Sequence, residues 1–378
     1  MGQLEGKNKV KIDFAAFENN KNRNELKIAD KLTIIFETAI KEAAKIGASI
    51  KDLDPKKPFS FKNYPQTKKM VDRLMTNLSY SIEENIKKAQ KEGWVYANDK
   101  NDALVSAIMQ YTSLSQSQVQ QYSHHNMEAL AAFQKRKIAG MNLSEKVWRM
   151  TEQFKGELEM ALDQGIGEGQ SSVQLQKTLR KFLVNGKDGT NKLFRRVRDK
   201  HGNIVLSKNA KNYHPGTGIY RSSYKNAMRL ATTENNAAYR TADHARQIRL
   251  DFILGIEIRL SNNHTINGKP FVDMCDELVG IYPVEFMFTG WHPHCRCWTI
   301  TILPTITQLM AHKEGAPWAG KINDVPDNFK NYIQSNMDRI LESQNKGTVP
   351  YFIQNNEALT DAIMNGNSTE HVIKSMRP

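Results

Sequence analysis

The sequence predicts a mainly helical protein with a small α+β module toward its C-terminal end, where a short sheet is braced by a Cys/His site. Three observations carry this expectation. Apolar residues recur at helical spacing over most of the chain before Phe252. Two segments, Ile256 to Leu260 and Trp298 to Leu303, alternate apolar and polar residues as half-buried strands do. Between them lie all three cysteines, Cys275, Cys295 and Cys297, together with His264, His292 and His294.

The elements follow in order. After an irregular polar start, apolar positions including Leu26, Ile28, Leu32, Phe36, Ile40 and Ala43 recur at helical spacing and predict a helix from Arg23 to Ile46. The stretch from Lys51 to Lys62 holds Pro55 and Pro58 and reads as a linker. Pro65 suits the first turn of a second long helix, expected to end at Gly93-Trp94. A third helical region, broken once, is expected from Ala97 to Ala139. Its adjacent His124 and His125 would point in different directions, which excludes a shared metal. Asn142 followed by Glu145 forms a capping box at the start of the next helix. The spaced glycines from Gly165 to Gly169 follow no strand and lack a succeeding Gly-Lys-Ser or Gly-Lys-Thr. They therefore read as a helix end rather than a phosphate loop, leading into a helix over Ser172 to Leu183.

From Asn185 to Gly218 the composition turns to Gly, Asn, Lys and charged residues. Within it, positions 194–207 read as a basic strand, turn and strand, followed by a helix from Ser222 to Leu250. Beyond Pro304, helices are expected over Thr305 to His312, Pro326 to Ser343 and Glu357 to Met376. The resulting division is an N-terminal helical region (1–140), a middle module (141–304) and a C-terminal helical tail (305–378).

Composition narrows the class. The chain has 378 residues, a net charge of +13 and a mean hydropathy of -0.59, with no apolar run long enough to span a bilayer. The first residues lack the order of a secretory signal, so a soluble protein kept in a cytoplasm, without membrane contact, is the simplest expectation. The excess of basic groups suits a polyanion, nucleic acid being the usual one. The local cluster Arg195, Arg196, Arg198 and Lys200 is the candidate contact; a solubilising surface is the alternative.

Three cysteines in one stretch beside histidines suit a metal site better than a secreted disulfide framework. Cys295 and Cys297 can aim both thiolates at one ion, and a folded loop brings in Cys275 from about 20 residues upstream. His292 or His264 would be the fourth ligand of a zinc ion. Two other readings stand beside this one: a plain loop with a buried Cys275, and a nucleophilic Cys/His pair. Arg296 would meet an anionic partner or pair locally with Glu285. Trp291 and Trp298 are expected to anchor the surrounding core.

The run His292-Pro-His-Cys-Arg-Cys297 is similar to the His-Pro-x-Cys-Arg-Cys sequence of Mu F-like phage head morphogenesis proteins. Upstream, Asp273-Met-Cys-Asp-Glu-Leu-Val-Gly280 resembles that family's cysteine, leucine and glycine stretch. Arg229-Leu-Ala-Thr-Thr-Glu-Asn-Asn-Ala-Ala-Tyr239 resembles its helix with an Arg, a Thr-Glu pair and small residues. Glu234 is expected to brace that helix through Arg229 or Arg240. The likeness covers roughly Leu143 to Pro304. It departs where the family often has Cys-x-x-Cys, since Val272 stands three before Cys275. His264 then replaces the missing ligand, or the site is three cysteines with His292.

The resemblance implies a minor capsid protein in the inner head of a virion, made in the host bacterial cytoplasm. Its partners would be portal and capsid proteins and packaged double-stranded DNA, contacted without sequence preference. It implies no enzyme; the alternative is a zinc-dependent effector or nuclease.

Overall fold

A computed structural model describes residues 8–50, 59–166, 171–184, 196–198, 200–202, 204–206, 212–213, 216, 219–261, 264–266, 269–313 and 315–377. In the first half, the helices are α1 (Phe14–Ala48), α2 (Pro65–Ile108), α3 (Gln116–Tyr122), α4 (Met127–Lys135), α5 (Leu143–Ile166) and α6 (Ser172–Leu183). The hairpin β1 (Arg196–Arg198) and β2 (Ile204–Leu206) and the helix α7 (Ser223–Gln247) follow. Next come β3 (Gly255–Arg259), β4 (Thr265–Ile266), β5 (Lys269–Pro270), α8 (Met274–Leu278), β6 (Gly280–Tyr282) and β7 (Trp298–Ile302). The chain ends with α9 (Ile306–Ala311), α10 (Asp327–Ser335), α11 (Met337–Asn345), α12 (Tyr351–Gln354), α13 (Glu357–Met364) and α14 (Thr369–Met376). The expected class, mainly helical with a small sheet, is what the chain forms. Among the described residues no helix is long and apolar enough to cross a membrane.

The chain divides into two interleaved units: Met1–Asn24, Gln90–Gly140 and Thr233–Pro378 form one, Glu25–Ala89 and Met141–Thr232 the other. One division falls between Gly140 and Met141, and the first unit is continuous through residues 304 and 305. The physical reason for that continuity is packing: Phe329 and Ile333 on α10 and Phe352 on α12 share a buried cluster with Tyr282, Phe286 and Trp291. The C-terminal helices are therefore part of the same core as the Cys/His segment.

Among the described residues, the second unit is helical apart from its short hairpin. Leu32, Phe36 and Ile40 of α1 meet Leu78, Ile82 and Ile86 of α2 and Phe154 and Leu158 of α5. Phe36 meets Phe154 and Tyr224 edge-on, with centroids 5.3 Å apart in both cases. The capping box forms as expected: Asn142 Oδ1 accepts from the Glu145 amide at 2.9 Å, and Glu145 Oε2 accepts from the Asn142 amide at 2.7 Å. The basic hairpin is also present, with Arg196 opposite Leu206 and Arg198 opposite Ile204. Lys200 lies exposed in its turn, and Arg195 falls outside the described residues.

In the first unit, α2 runs through Gly93 and Trp94 instead of ending there. A Cβ at Gly93 would lie 2.9 Å from Asn235 Oδ1 and 3.6 Å from Tyr239 Cβ, so this glycine lets α2 approach α7 closely. The two final helical segments are also shorter than expected. One breaks at Asn336, between α10 and α11, and the other near Gly366, whose φ of 70° interrupts the helical path. The sheet has the order β6-β3-β7 with β3 antiparallel to both neighbours, and the Arg259–Trp298 pairing closes the Cys/His segment at its base. Strand β6 and helix α8, inside that segment, carried no periodic signal.

One buried acid in the second unit makes the fold pH-sensitive. Glu157 Oε1 accepts from the Ser223 amide at 2.6 Å and Oε2 from the Ser223 hydroxyl at 2.8 Å, capping the start of α7. Burial pushes its carboxyl up from 4.5 to about 8, against the pull of those hydrogen bonds. Between these values the native state holds a proton that the unfolded chain has lost, so stability falls as pH rises through that window. Glu157→Gln, which keeps an acceptor for the amide, is expected to be more stable than the parent at pH near 8.5 by about 1–3 kcal/mol. Chemical denaturation at both ends of the window checks this, and the gain should shrink toward zero near pH 5.

Candidate metal centre

The Cys/His segment leaves β6 at Tyr282, crosses a run of buried aromatic residues and re-enters the sheet at Trp298. Gly290 begins its tight part with φ 122°; a Cβ there would lie 3.1 Å from Cys295 Cβ. Trp291 is buried against Phe288 at 4.8 Å and Phe352 at 5.3 Å between centroids, which anchors the turn as expected. Trp298 is also buried and donates from Nε1 to the Leu260 carbonyl at 3.1 Å. His294 takes the left-handed conformation at φ 64°, uncommon for a residue with a side chain.

The turn brings Cys275, His292 and Cys295 together, their donor atoms all within 4.8 Å of one another. Cys275 Sγ lies 3.1 Å from His292 Nε2 and 3.9 Å from Cys295 Sγ. Cys297 is buried and its thiol interacts with both other sulfurs. His292 Nδ1 lies 2.9 Å from the Pro293 carbonyl, which can only accept. Nδ1 is therefore the donor to that carbonyl, and Nε2 is the nitrogen that faces the Cys275 sulfur. Cys275 comes from α8, whose N-cap Asp273 accepts from the Cys275 amide at 2.8 Å.

The thiols compete for ionisation. Cys295 is held well below the usual thiol range by hydrogen bonds from Cys275 and then Cys297, with a contribution from the Arg240 cation. Cys275 is pushed up, first through its hydrogen bond to Cys295 and then through Cys297 and burial. A divalent cation would relieve this competition, because it lets neighbouring sulfurs ionise together. Cys275, His292 and Cys295 offer two sulfurs and one imidazole nitrogen close enough to hold a metal ion, and Cys297 lies outside that group of three.

Helix α7 holds this loop by its backbone. Thr233 Oγ1 accepts from the His294 amide at 3.0 Å, and Asn236 Nδ2 donates to the Cys295 carbonyl at 3.5 Å. Arg240 Nη2 donates to the Cys297 carbonyl, and its guanidinium stacks 4.8 Å over the Phe288 ring. Positions 233, 236 and 240 are spaced by three and four, so they share one face of the helix. Sequence reasoning had singled out this stretch without seeing the grip; the spacing of Thr233, Asn236 and Arg240 was the available signal.

Several expected pairings fall elsewhere. His264 does not join the sulfurs: its Nε2 lies 3.1 Å from Asp276 Oδ2, and its ring stacks on Phe271 at 4.0 Å. The reason is that His264 opens the β4–β5 hairpin, which places it beside the carboxylates around the start of α8. Glu234 accepts from Gln90 at 2.9 Å and from Arg136 at 2.8 Å, so its brace reaches α2 and the segment after α4. Glu285 pairs with Arg377 at 2.7 Å, and Arg296 is exposed. His124 and His125 diverge as expected, toward Arg249 and Asp102.

A cavity of about 490 Å³ adjoins the cluster, lined among others by His292, Cys295, Glu234, Arg136, Trp94 and Phe133. Compared with known proteins, the sequence matches no family model, no curated protein and no solved structure.

Removing Arg240 leaves the Cys297 carbonyl without its partner and Cys295 without its neighbouring cation. Arg240→Ala is expected to lower the stability of the chain by about 1.5–3 kcal/mol and to weaken metal binding by roughly 10–100-fold. Arg240→Lys should recover part of both. Denaturant melts and competition with a chelating dye measure the two effects, and an Arg240→Ala protein equal to the parent in both would refute the assigned role.

Proposed function

We propose that the chain is a minor head component of a tailed phage or prophage, acting in head assembly at the portal or inner capsid and contacting packaged DNA without sequence preference. The observation that carries this reading is the joining of its motifs. The His292-Pro-His-Cys-Arg-Cys297 run, the upstream Cys275 and the Thr233-Glu234 helix appear in the order of Mu F-like head morphogenesis proteins. Here they form one physical assembly, with the helix gripping the loop that carries the sulfurs.

In this reading the Cys275, Cys295, Cys297 and His292 set holds zinc as a structural cross-brace. The protein works by docking, not by catalysis, on portal and capsid partners in the inner head of the virion, after synthesis in the host bacterial cytoplasm. The net charge of +13 suits proximity to DNA, and the basic cluster Arg195, Arg196, Arg198 and Lys200 supplies the assigned phosphate contacts. A second reading, a zinc-dependent effector or nuclease, draws support from the cavity beside His292 and Cys295. A nuclease assay on the zinc-loaded protein separates the two, and cleavage of DNA would favour the enzyme.

Two measurements test the main reading. Purified protein should hold about one zinc per chain in the thiolate set, and Cys295→Ser or Cys297→Ser should lose most of it; a folded parent without zinc would exclude the brace. Fluorescence anisotropy with duplexes of unrelated sequence should show equal binding that weakens at least about tenfold from 50 to 200 mM salt. Salt-insensitive or absent binding would remove DNA from the proposal, and absence of the protein from purified particles would remove the role in the head.

A further inference from the structure

A second group of ligand-type side chains lies beside the sulfur cluster and has a different chemistry. His264, Asp273 and Asp276 place one imidazole nitrogen and two carboxylate oxygens within 4.8 Å of one another. His264 Nε2 is 3.1 Å from Asp276 Oδ2 and 3.8 Å from Asp273 Oδ1. Ligands on a single ion at bond lengths of about 2.0–2.2 Å stand roughly 3–3.6 Å apart, so these separations need little adjustment to close on one cation. The Phe271 ring, stacked on His264 at 4.0 Å, supports the imidazole on one side.

We propose that His264, Asp273 and Asp276 form a second divalent-cation site beside the sulfur cluster. Asp273 stands between the two groups: its Oδ1, which also accepts from the Cys275 amide, is 3.8 Å from His264 Nε2, and its Oδ2 is 3.7 Å from His292 Nε2. The two sets differ in softness. Three thiols and an imidazole select zinc, whereas one nitrogen and two oxygens suit harder ions such as Mn²⁺. All three side chains are partly exposed, so water can complete the coordination of an ion bound there. Such an ion ties the β4–β5 hairpin to the start of α8, and so to the backbone of Cys275. A capping arrangement alone accounts for part of the geometry, since Asp276 Oδ2 also accepts from the Asp273 amide at 2.8 Å. It does not account for the histidine being brought to both carboxylates.

Titration of the full chain with Mn²⁺, read by electron paramagnetic resonance of the free ion, tests the site. The expected result is about one bound Mn²⁺ per chain, with affinity lowered about tenfold or more in His264→Ala. Asp276→Asn keeps an acceptor for the Asp273 amide and should show the same loss, which guards against a folding defect in one variant. Thermal melts without metal should be close to the parent for at least one of the two. Because the readout is Mn²⁺, it does not depend on whether the thiolates hold zinc; zinc content measured in parallel reports on that cluster alone. No Mn²⁺ binding by the parent, or equal binding by His264→Ala and Asp276→Asn, would overturn the proposal.

Discussion

The hold of α7 on the loop between Gly290 and Trp298 is the constraint around which the first unit is arranged. That loop has little regular structure, so the amides and carbonyls of His294, Cys295 and Cys297 need partners from elsewhere. Thr233, Asn236 and Arg240 supply them from one helix face. A helix that must present polar groups inward carries buried charge, and buried charge is tolerable only when paired. The remaining turns of α7 follow that rule. Asp243 meets Lys100 and Asn101, while Arg246 reaches Asn98, Asp102 and the Tyr122 carbonyl. The close approach at Gly93 is what lets α2 deliver several of these partners.

Electrostatics around the sulfurs points the same way. Three thiolates and a neutral imidazole around a divalent ion would leave one net negative charge in a buried place. Arg240, buried beside Cys297, is the matching cation. Its Nε finds no hydrogen-bond partner among the described residues, so its position is set by the sulfur loop and the Phe288 ring more than by a carboxylate. A brace of this kind fits a protein that works by holding shape against partners, which is the role proposed for it.

Much of the fold was legible in the sequence because it rests on local signals. The helix over Ser172 to Leu183, the Asn142–Glu145 capping box, the basic hairpin and the strand pair flanking the cysteines all follow from periodicity or turn chemistry. What escaped depends on long-range packing. Gly93 looks like a helix end until Asn235 is seen against it, and Glu285 looks local until Arg377 arrives from the far end of the chain. At the site, the three cysteines and His292 were recognisable by type and clustering. The separation of His264 from them was not, because the direction of a hairpin such as β4–β5 is not written in residue types. Asp273 was missed for a related reason: as a helix N-cap it gives no sign of the two imidazoles that flank it.

The pairing of Arg259 with Trp298 has a kinetic consequence. Cys275 and the His292 to Cys297 run are distant in sequence, and an ion alone would have to bring them together against the entropy of a long open loop. Antiparallel pairing of β3 with β7 closes that loop with backbone hydrogen bonds that need no ion. An ion bound at Cys275, His292 and Cys295 would meet ligands that the sheet already holds near one another. Assembly of the sheet, more than the supply of metal, would set when during folding this part of the chain becomes able to engage a partner.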